Sequence, residues 1–316
     1  MHFARRFLRR PKLSVVVVVY DMAREVPRTL HSLSASYQRG VSEDDYEVIV
    51  VDNGSPIPLG KKTVERFGKS FRYIYIQDAS PSPAAAVNVG VKLSRGDYVC
   101  IAIDGARILT PGLIRTTLRA FCAFDDPTVV TLGWHLGHEP QQKSVKSGYT
   151  RESEDALLKK IDWPADGYRL FEIGCLGGSS KDGCFRPMSE SNTITISCET
   201  FDSLGGYDTR FDLPGGGLVN LDFFRRACER KGSQLVVLSG EGSFHQLHGG
   251  TSTNIPSEEL DSKFKEWTAQ YTRIRGIPWD MPTQKPEYLG MIPLVAMPYI
   301  AWSANQRLEM ESKALD

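Results

Sequence analysis

No Gly-x-Gly-x-x-Gly follows the first apolar run of this 316-residue chain, so a dinucleotide-binding crossover is not expected. A Walker-type loop is also missing, which argues against a P-loop phosphate cradle. No Gly-x-Ser-x-Gly elbow occurs, which weakens a hydrolase reading. The six cysteines form no Cys-x-x-Cys pair, so a zinc ribbon is not expected. Several lie in apolar stretches (Val99-Cys100-Ile101, Phe121-Cys122-Ala123) and read as buried, reduced thiols. There is no excess of either charge sign: Lys+Arg and Asp+Glu both number 38, so no global field draws the chain onto nucleic acid. The N-terminus has no long apolar core and does not read as a secretory leader. The longest apolar run, 291–304, contains Pro293 and Pro298 and falls short of the ~20 residues a membrane span needs. It is expected to dock against the core. Internal repeats and low-complexity tracts are absent too.

What remains is ordinary globular material, 41% apolar and 24% charged, enough for one large α/β domain with extensions or for two small domains. Residues 1–12 read as a basic lead-in that, as a short amphipathic helix, would place Phe3, Phe7 and Leu8 on one face. That pattern suits an anionic membrane surface, and its plainer alternative is a solvated tail. The first half then alternates strand and helix. Leu13–Tyr20 holds five consecutive valines and reads as a strand covered on both faces. Helices are expected at about 27–38, 61–67, 83–93 and 111–124, and strands at 46–52, 71–77, 97–103 and 128–132. This order predicts a parallel, doubly wound sheet, with ligands beyond the carboxyl ends of its strands. The polar residues there are Tyr20 and Asp21, Asp52 and Asn53, Asp78, and Asp104. Carboxylates suit ligand contact in such places better than packing.

The second half is less regular. A helix is expected at 151–161, a Gly/Ser-rich loop at 174–183, a strand at 193–197 and a short helix at 198–204. A helix at 218–231, a strand at 234–238 and a final helix at 257–276 complete the reading.

Taken in order, several segments resemble glycosyltransferase family 2. They are VVVVVYDM at 15–22, VVDNGS at 50–55, Asn88-Val89-Gly90, Arg95-Gly96-Asp97-Tyr98, IDGAR at 103–107, Gly205-Gly206-Tyr207-Asp208, GGGLVNLDFFRR at 215–226 and FHQLHGG at 244–250. Each is weak alone, and their order and spacing carry the likeness over about 13–250. The resemblance implies a GT-A-like α/β fold, with a doubly wound, mainly parallel sheet and an irregular acceptor-side region. It divides the chain into a nucleotide-sugar-binding half (13–135), an acceptor-side half (136–250) and a C-terminal helical extension (251–316).

It also implies roles. Asp52 would hold the base of the donor nucleotide, with Tyr20, Asp78 and Asn88 beside it. Asp104 would hold ribose and a divalent cation, Mn²⁺ or Mg²⁺, that bridges the diphosphate. Relatives carry Asp-x-Asp there, but here Ala106 stands in the second place. Arg107 is expected to supply part of the missing charge neutralisation, and His245 or His248 to complete a reduced metal site. The general base is the least determined part. Relatives open a helix with Glu-Asp-x-Asp, where this chain has Val219, Asn220 and Asp222. Asp222 is the favoured base, Asp212 a further candidate, and an inactive site is also open.

The leading expectation is therefore a cytoplasmic, inverting glycosyltransferase that uses a nucleotide-sugar donor and a glycan or glycolipid acceptor. The lead-in would give it a peripheral contact at the inner face of the membrane. The alternative is a nucleotide-sugar-binding or partner protein without turnover, which Asn220 and Ala106 favour. A nucleotidyltransferase would want a Gly-rich basic loop after the first strand, which Tyr20-Asp21-Met22-Ala23-Arg24 does not supply.

Overall fold

The computed structural model describes residues 10–250 and 257–313. Phe3, Phe7 and Leu8 of the basic lead-in lie outside them. Strands β1 (Leu13–Val19), β2 (Tyr46–Asp52), β3 (Phe71–Tyr75) and β4 (Tyr98–Ala102) run parallel in the order β3-β2-β1-β4. The valine run explains why β1 is central. Val16 and Val18 pack in one apolar cluster with the helix Ala84–Lys92. Val15, Val17 and Val19 pack in a second, with the helices Val26–Ser32 and Leu113–Ala123. Helices thus cover both faces, as a parallel sheet requires. Gly90 lets its helix lie close to β1: a Cβ there would stand 2.3 Å from Val16 Cγ1.

Six further strands extend the sheet: β5 (Arg107–Leu109), β6 (Thr128–Leu136), β7 (Gly174–Leu176), β8 (Ile194–Ser197), β9 (Leu235–His245) and β10 (Glu287–Leu289). The order across it is β10-β9-β6-β8-β4-β1-β2-β3, with β5 on β9 and β7 on β6. Strand β8 is antiparallel to both β4 and β6, while β6, β9 and β10 run parallel to one another. The mixed α/β architecture is as expected, with this antiparallel insertion between its two parallel parts.

Three differences from the sequence reading have physical causes. The first helix stops at Ser32 because side chains beyond it compete for its carbonyls: Ser34 Oγ donates to His31 O (2.7 Å) and Gln38 Nε2 to Ser32 O (2.7 Å). Strand β9 runs seven residues past Leu238, through polar Ser239–Ser243. Its Glu241 is satisfied inside the protein by Thr110 Oγ1 (2.5 Å) and Tyr168 OH (3.0 Å). The C-terminal extension is not purely helical. After the helix Ser257–Arg275 it adds β10 to the main sheet, then a last helix, Met297–Lys313. Pro298 sits in that helix's first turn, where proline is tolerated.

The 291–304 segment does dock. Tyr299 OH donates to Gly174 O (2.5 Å), and Ser303 Oγ accepts from Cys184 N–H (3.3 Å). All six cysteines are free, and Cys100, Cys184 and Cys228 are buried as expected, but Cys122 is exposed. No described helix is long and apolar enough to cross a membrane.

Candidate active site

The chain leaves β4 at Ala102, and Asp104 follows two residues on. Gly105 comes next because the backbone crosses the end of β1. A Cβ there would stand 2.5 Å from Val19 Cγ1 and 2.7 Å from Val18 O. The Ala106 N–H donates to Asp104 Oδ1 (3.1 Å) and closes the turn. Strand β5 then begins with Arg107, whose register partner on β9 is His245. Beyond β9 the His248 loop is held from outside. Leu247 N–H donates to Glu154 Oε2 (2.7 Å) and Arg151 Nη2 to His248 O (3.1 Å).

These elements converge on Asp104. His245 Nε2 lies 3.0 Å from Asp104 Oδ2, and His248 Nε2 lies 3.6 Å from Oδ1. The two Nε2 atoms are 3.0 Å apart, and Arg107 Nε is 3.4 Å from Asp104 Oδ2. Gln141 sets the His245 tautomer. Its Nε2 donates to the His245 carbonyl (3.1 Å), so its Oε1 faces His245 Nδ1 at 2.6 Å. Nδ1 must then carry the proton, and Nε2 presents its lone pair to Asp104 and His248. Burial pushes the His245 imidazole down to about 4, against the opposing pull of Asp104. Burial alone would raise the Asp104 carboxyl, but His245 and His248 in their protonated forms, together with Arg107, outweigh it and hold it well below the usual range. The site thus offers a carboxylate and a neutral imidazole at pH 7, with the His248 nitrogen alongside.

The three ligand atoms lie within 4.8 Å of one another, close enough to share one cation. One carboxylate with two imidazoles is a borderline donor set, which suits Mn²⁺ better than the harder Mg²⁺. The missing second acid is also explained. Ala106 is fully buried in the β1-side apolar cluster, where a carboxylate would be costly. The two histidines supply donors that a residue at 106 cannot. Arg107 is 7% exposed, and its Nε has no conventional hydrogen-bond partner, only the longer ion pair to Asp104. A buried guanidinium so sparsely partnered is suited to receiving an anion.

Asp104, Arg107, His245 and His248 therefore come together, and other expected residues do not. Asp52 is fully buried: its Oδ1 accepts from Ser55 N–H (2.9 Å), and its Oδ2 from Leu59 N–H (3.4 Å) and Tyr73 OH (2.7 Å). Here it organises its own loop and presents no oxygen to a nucleotide. Asn88 is spent on the Tyr207 backbone, donating to its carbonyl (2.8 Å) and accepting from its N–H (2.9 Å). Tyr20 (54% exposed) and Asp78 remain open at the rim.

Asp222 cannot serve as the base in this arrangement. It is fully buried and clamped by Arg226 Nε (2.8 Å) and by both Arg275 Nε (2.6 Å) and Nη2 (2.7 Å). Asp212 is exposed and accepts from Gln270 (2.8 Å). Asn220 instead hydrogen-bonds Glu190, at 2.6 Å from Nδ2 to Oε2. Sequence reasoning missed Glu190, Gln141 and Glu154. For Glu190 a signal existed: a lone acid in Ser189-Glu190-Ser191-Asn192, just before a strand that borders β4.

The mixed α/β architecture, with its central and mostly parallel sheet, is that of the GT-A glycosyltransferases. The family model described as Glycosyl transferase family 2 matches residues 14–171, half of the chain, and the chain belongs to that family. An "Uncharacterized glycosyltransferase" of Rickettsia bellii (strain RML369-C) is 29% identical over 98 residues, 31% of this chain and 13% of that protein. Among solved structures, S. aureus TarS superposes with a TM-score of 0.52 at 13% identity, over 83% of this chain and 40% of that one. Glucosyl-3-phosphoglycerate synthase from Mycobacterium tuberculosis, in complex with phosphoglyceric acid, gives 0.51 at 18% identity, over 85% and 82%. The chain thus spans well under half the length of the curated relative and of the TarS chain, and the structural likenesses establish the fold.

Proposed function

We propose that this protein transfers a glycosyl group from a nucleoside-diphosphate sugar to a hydroxyl acceptor, a glycan or a lipid-linked sugar, with inversion at the anomeric carbon. The observation that carries this reading is the convergence of Asp104, His245, His248 and Arg107 beyond the strand ends of the sheet. Asp104, His245 and His248 would hold a divalent cation, which supplies charge neutralisation to the departing diphosphate. Arg107 adds a fixed positive charge from the wall of the same site. The solved 1–349 fragment of S. aureus TarS is in complex with UDP-GlcNAc, which supports a donor of this class. The free cysteines and the use of an activated nucleotide sugar suit the cytoplasm.

The competing reading, donor binding without turnover, draws on Asn220 in the usual place of the base and on the sequestration of Asp222. One experiment separates the two. The full chain is incubated with UDP-, GDP- and dTDP-sugars, with and without Mn²⁺, and followed by thermal shift and by donor consumption. A Mn²⁺-dependent shift with slow donor hydrolysis supports the transferase. A shift without consumption, with or without acceptor sugars, supports the binder. No response to any nucleotide sugar removes both readings.

A further inference from the structure

If Asp222 is clamped and residue 220 is an amide, a transferase needs its proton acceptor elsewhere. The antiparallel register of β4 with β8 pairs Ile101 with Ile194 and Cys100 with Thr195. Carried on past the strand ends, that ladder would lead residues 190–192 toward 103–105, and the charges of Arg107 and Asp104 both act on the Glu190 carboxyl. Contacts tie the segment to the same place. Ser191 Oγ donates to Thr131 O (2.9 Å) on β6, and Ser189 N–H to Ser179 O (3.3 Å). A Cβ on Gly133 would touch Ser179 Oγ (3.4 Å) and stand 4.0 Å from Arg107 Nη1, so Arg107 borders that corner as well.

Asn220 aims the Glu190 carboxylate. The Asn220 Nδ2 end faces two acceptors, Glu190 Oε2 (2.6 Å) and the Ser191 carbonyl (3.2 Å). A carbonyl oxygen and an ionised carboxylate cannot donate, so the amide's orientation is fixed, and its Oδ1 accepts from Tyr207 OH (2.9 Å). An acid at 220 would set two carboxylates at hydrogen-bond distance. The amide at 220 and the carboxylate at 190 are complementary.

From this geometry we propose that Glu190 is the general base of the transfer and that Asn220 is its positioning residue. This rests on the transferase reading above. In the step, Glu190 takes the proton of the acceptor hydroxyl as its oxygen bonds the anomeric carbon. The bond from that carbon to the diphosphate breaks, and its electron pair leaves with the diphosphate. The carboxylic acid then returns the proton to water. Burial raises the Glu190 carboxyl above its ordinary value, opposed by Asn220 and Arg107, which makes it a stronger proton acceptor than an exposed glutamate.

The test uses the full chain and whichever donor it consumes. Glu190→Gln is expected to slow transfer or donor hydrolysis by about 10²–10⁴-fold. Its thermal shift with UDP and Mn²⁺ should match wild type. Formate, as a small external base, should restore part of the rate to Glu190→Ala, and this arm also covers a fold that tolerates glutamine poorly. Asp212→Asn should keep the wild-type rate. A Glu190→Gln enzyme within about threefold of wild type overturns the assignment. So does loss of activity in Glu190→Ala with no formate rescue, which marks a structural role. A wild-type chain that binds donors yet never consumes them removes the transferase reading itself, and the assignment with it.

Discussion

At the scale of single residues, the cation site depends on which nitrogen of His245 carries its proton. Gln141 decides this: it is fully buried, its amide is oriented by the His245 carbonyl, and its oxygen accepts from Nδ1 at 2.6 Å. Gln141→Met keeps the volume and removes both side-chain bonds. It should weaken Mn²⁺ binding by about 10–100-fold, as loss of a ligand-orienting partner usually does. Titration followed by the Mn²⁺ electron-spin resonance signal checks this, and unchanged affinity would refute the assignment of the tautomer. Asp104 and the two histidines were legible in the sequence because they end strands or adjoin a glycine pair. Gln141 was not, because nothing about a glutamine after a proline distinguishes a buried orienting amide from a solvated one. Asp52 was legible as a strand-end acid, but the structure shows it organising a turn. Asn53-Gly54 makes a loop whose N–H groups turn inward onto the carboxylate.

Between elements, Asp222 acts as a clamp. It joins its own helix, Val219–Glu229, to the helix Ser257–Arg275 through Arg275, and to the 204–206 turn through Arg226, which also donates to Leu204 O (2.6 Å) and Gly206 O (2.8 Å). Removing one member of such a buried network strands the other charges. Asp222→Ala should therefore cost about 3–5 kcal/mol of folding stability, toward the lower end because both arginines keep some exposure to water. Urea unfolding measures it, and a loss below about 1 kcal/mol would mean that solvent compensates the arginines. The sequence showed helix-spaced Asp222 and Arg226 but gave no sign of Arg275, 53 residues away. Local periodicity carried the parallel half well for the same reason: its strands are apolar runs covered on both faces. It failed for β5, β7 and β10, each three residues long, since so few positions cannot establish a period.

Over the whole molecule, the cation cluster and Glu190 lie within residues 104–248, so a chain ending at 250 keeps each of those groups. The fold argues that such a chain does not hold them. Residues 257–313 bury Trp267 and Tyr271 in the main core, stack Tyr299 edge-on to Trp134 at 4.7 Å, and cap the β9 edge with β10. Without them Asp222 loses two of its three arginine hydrogen bonds, Trp134 loses the ring of Tyr299 from its packing, and β9 presents unpaired backbone groups to solvent at 236–238. Cores are close-packed, so loss of a covering layer is felt at the elements beneath it, and β6 and β9 are those that carry His135 and His245. The expected result is that residues 1–250 aggregate on size-exclusion chromatography, or stay compact without a cooperative thermal transition, while the full chain melts cooperatively. A truncated chain that is monomeric, melts sharply within a few degrees of the full protein and still binds Mn²⁺ would show that the extension is an appendage rather than part of the domain.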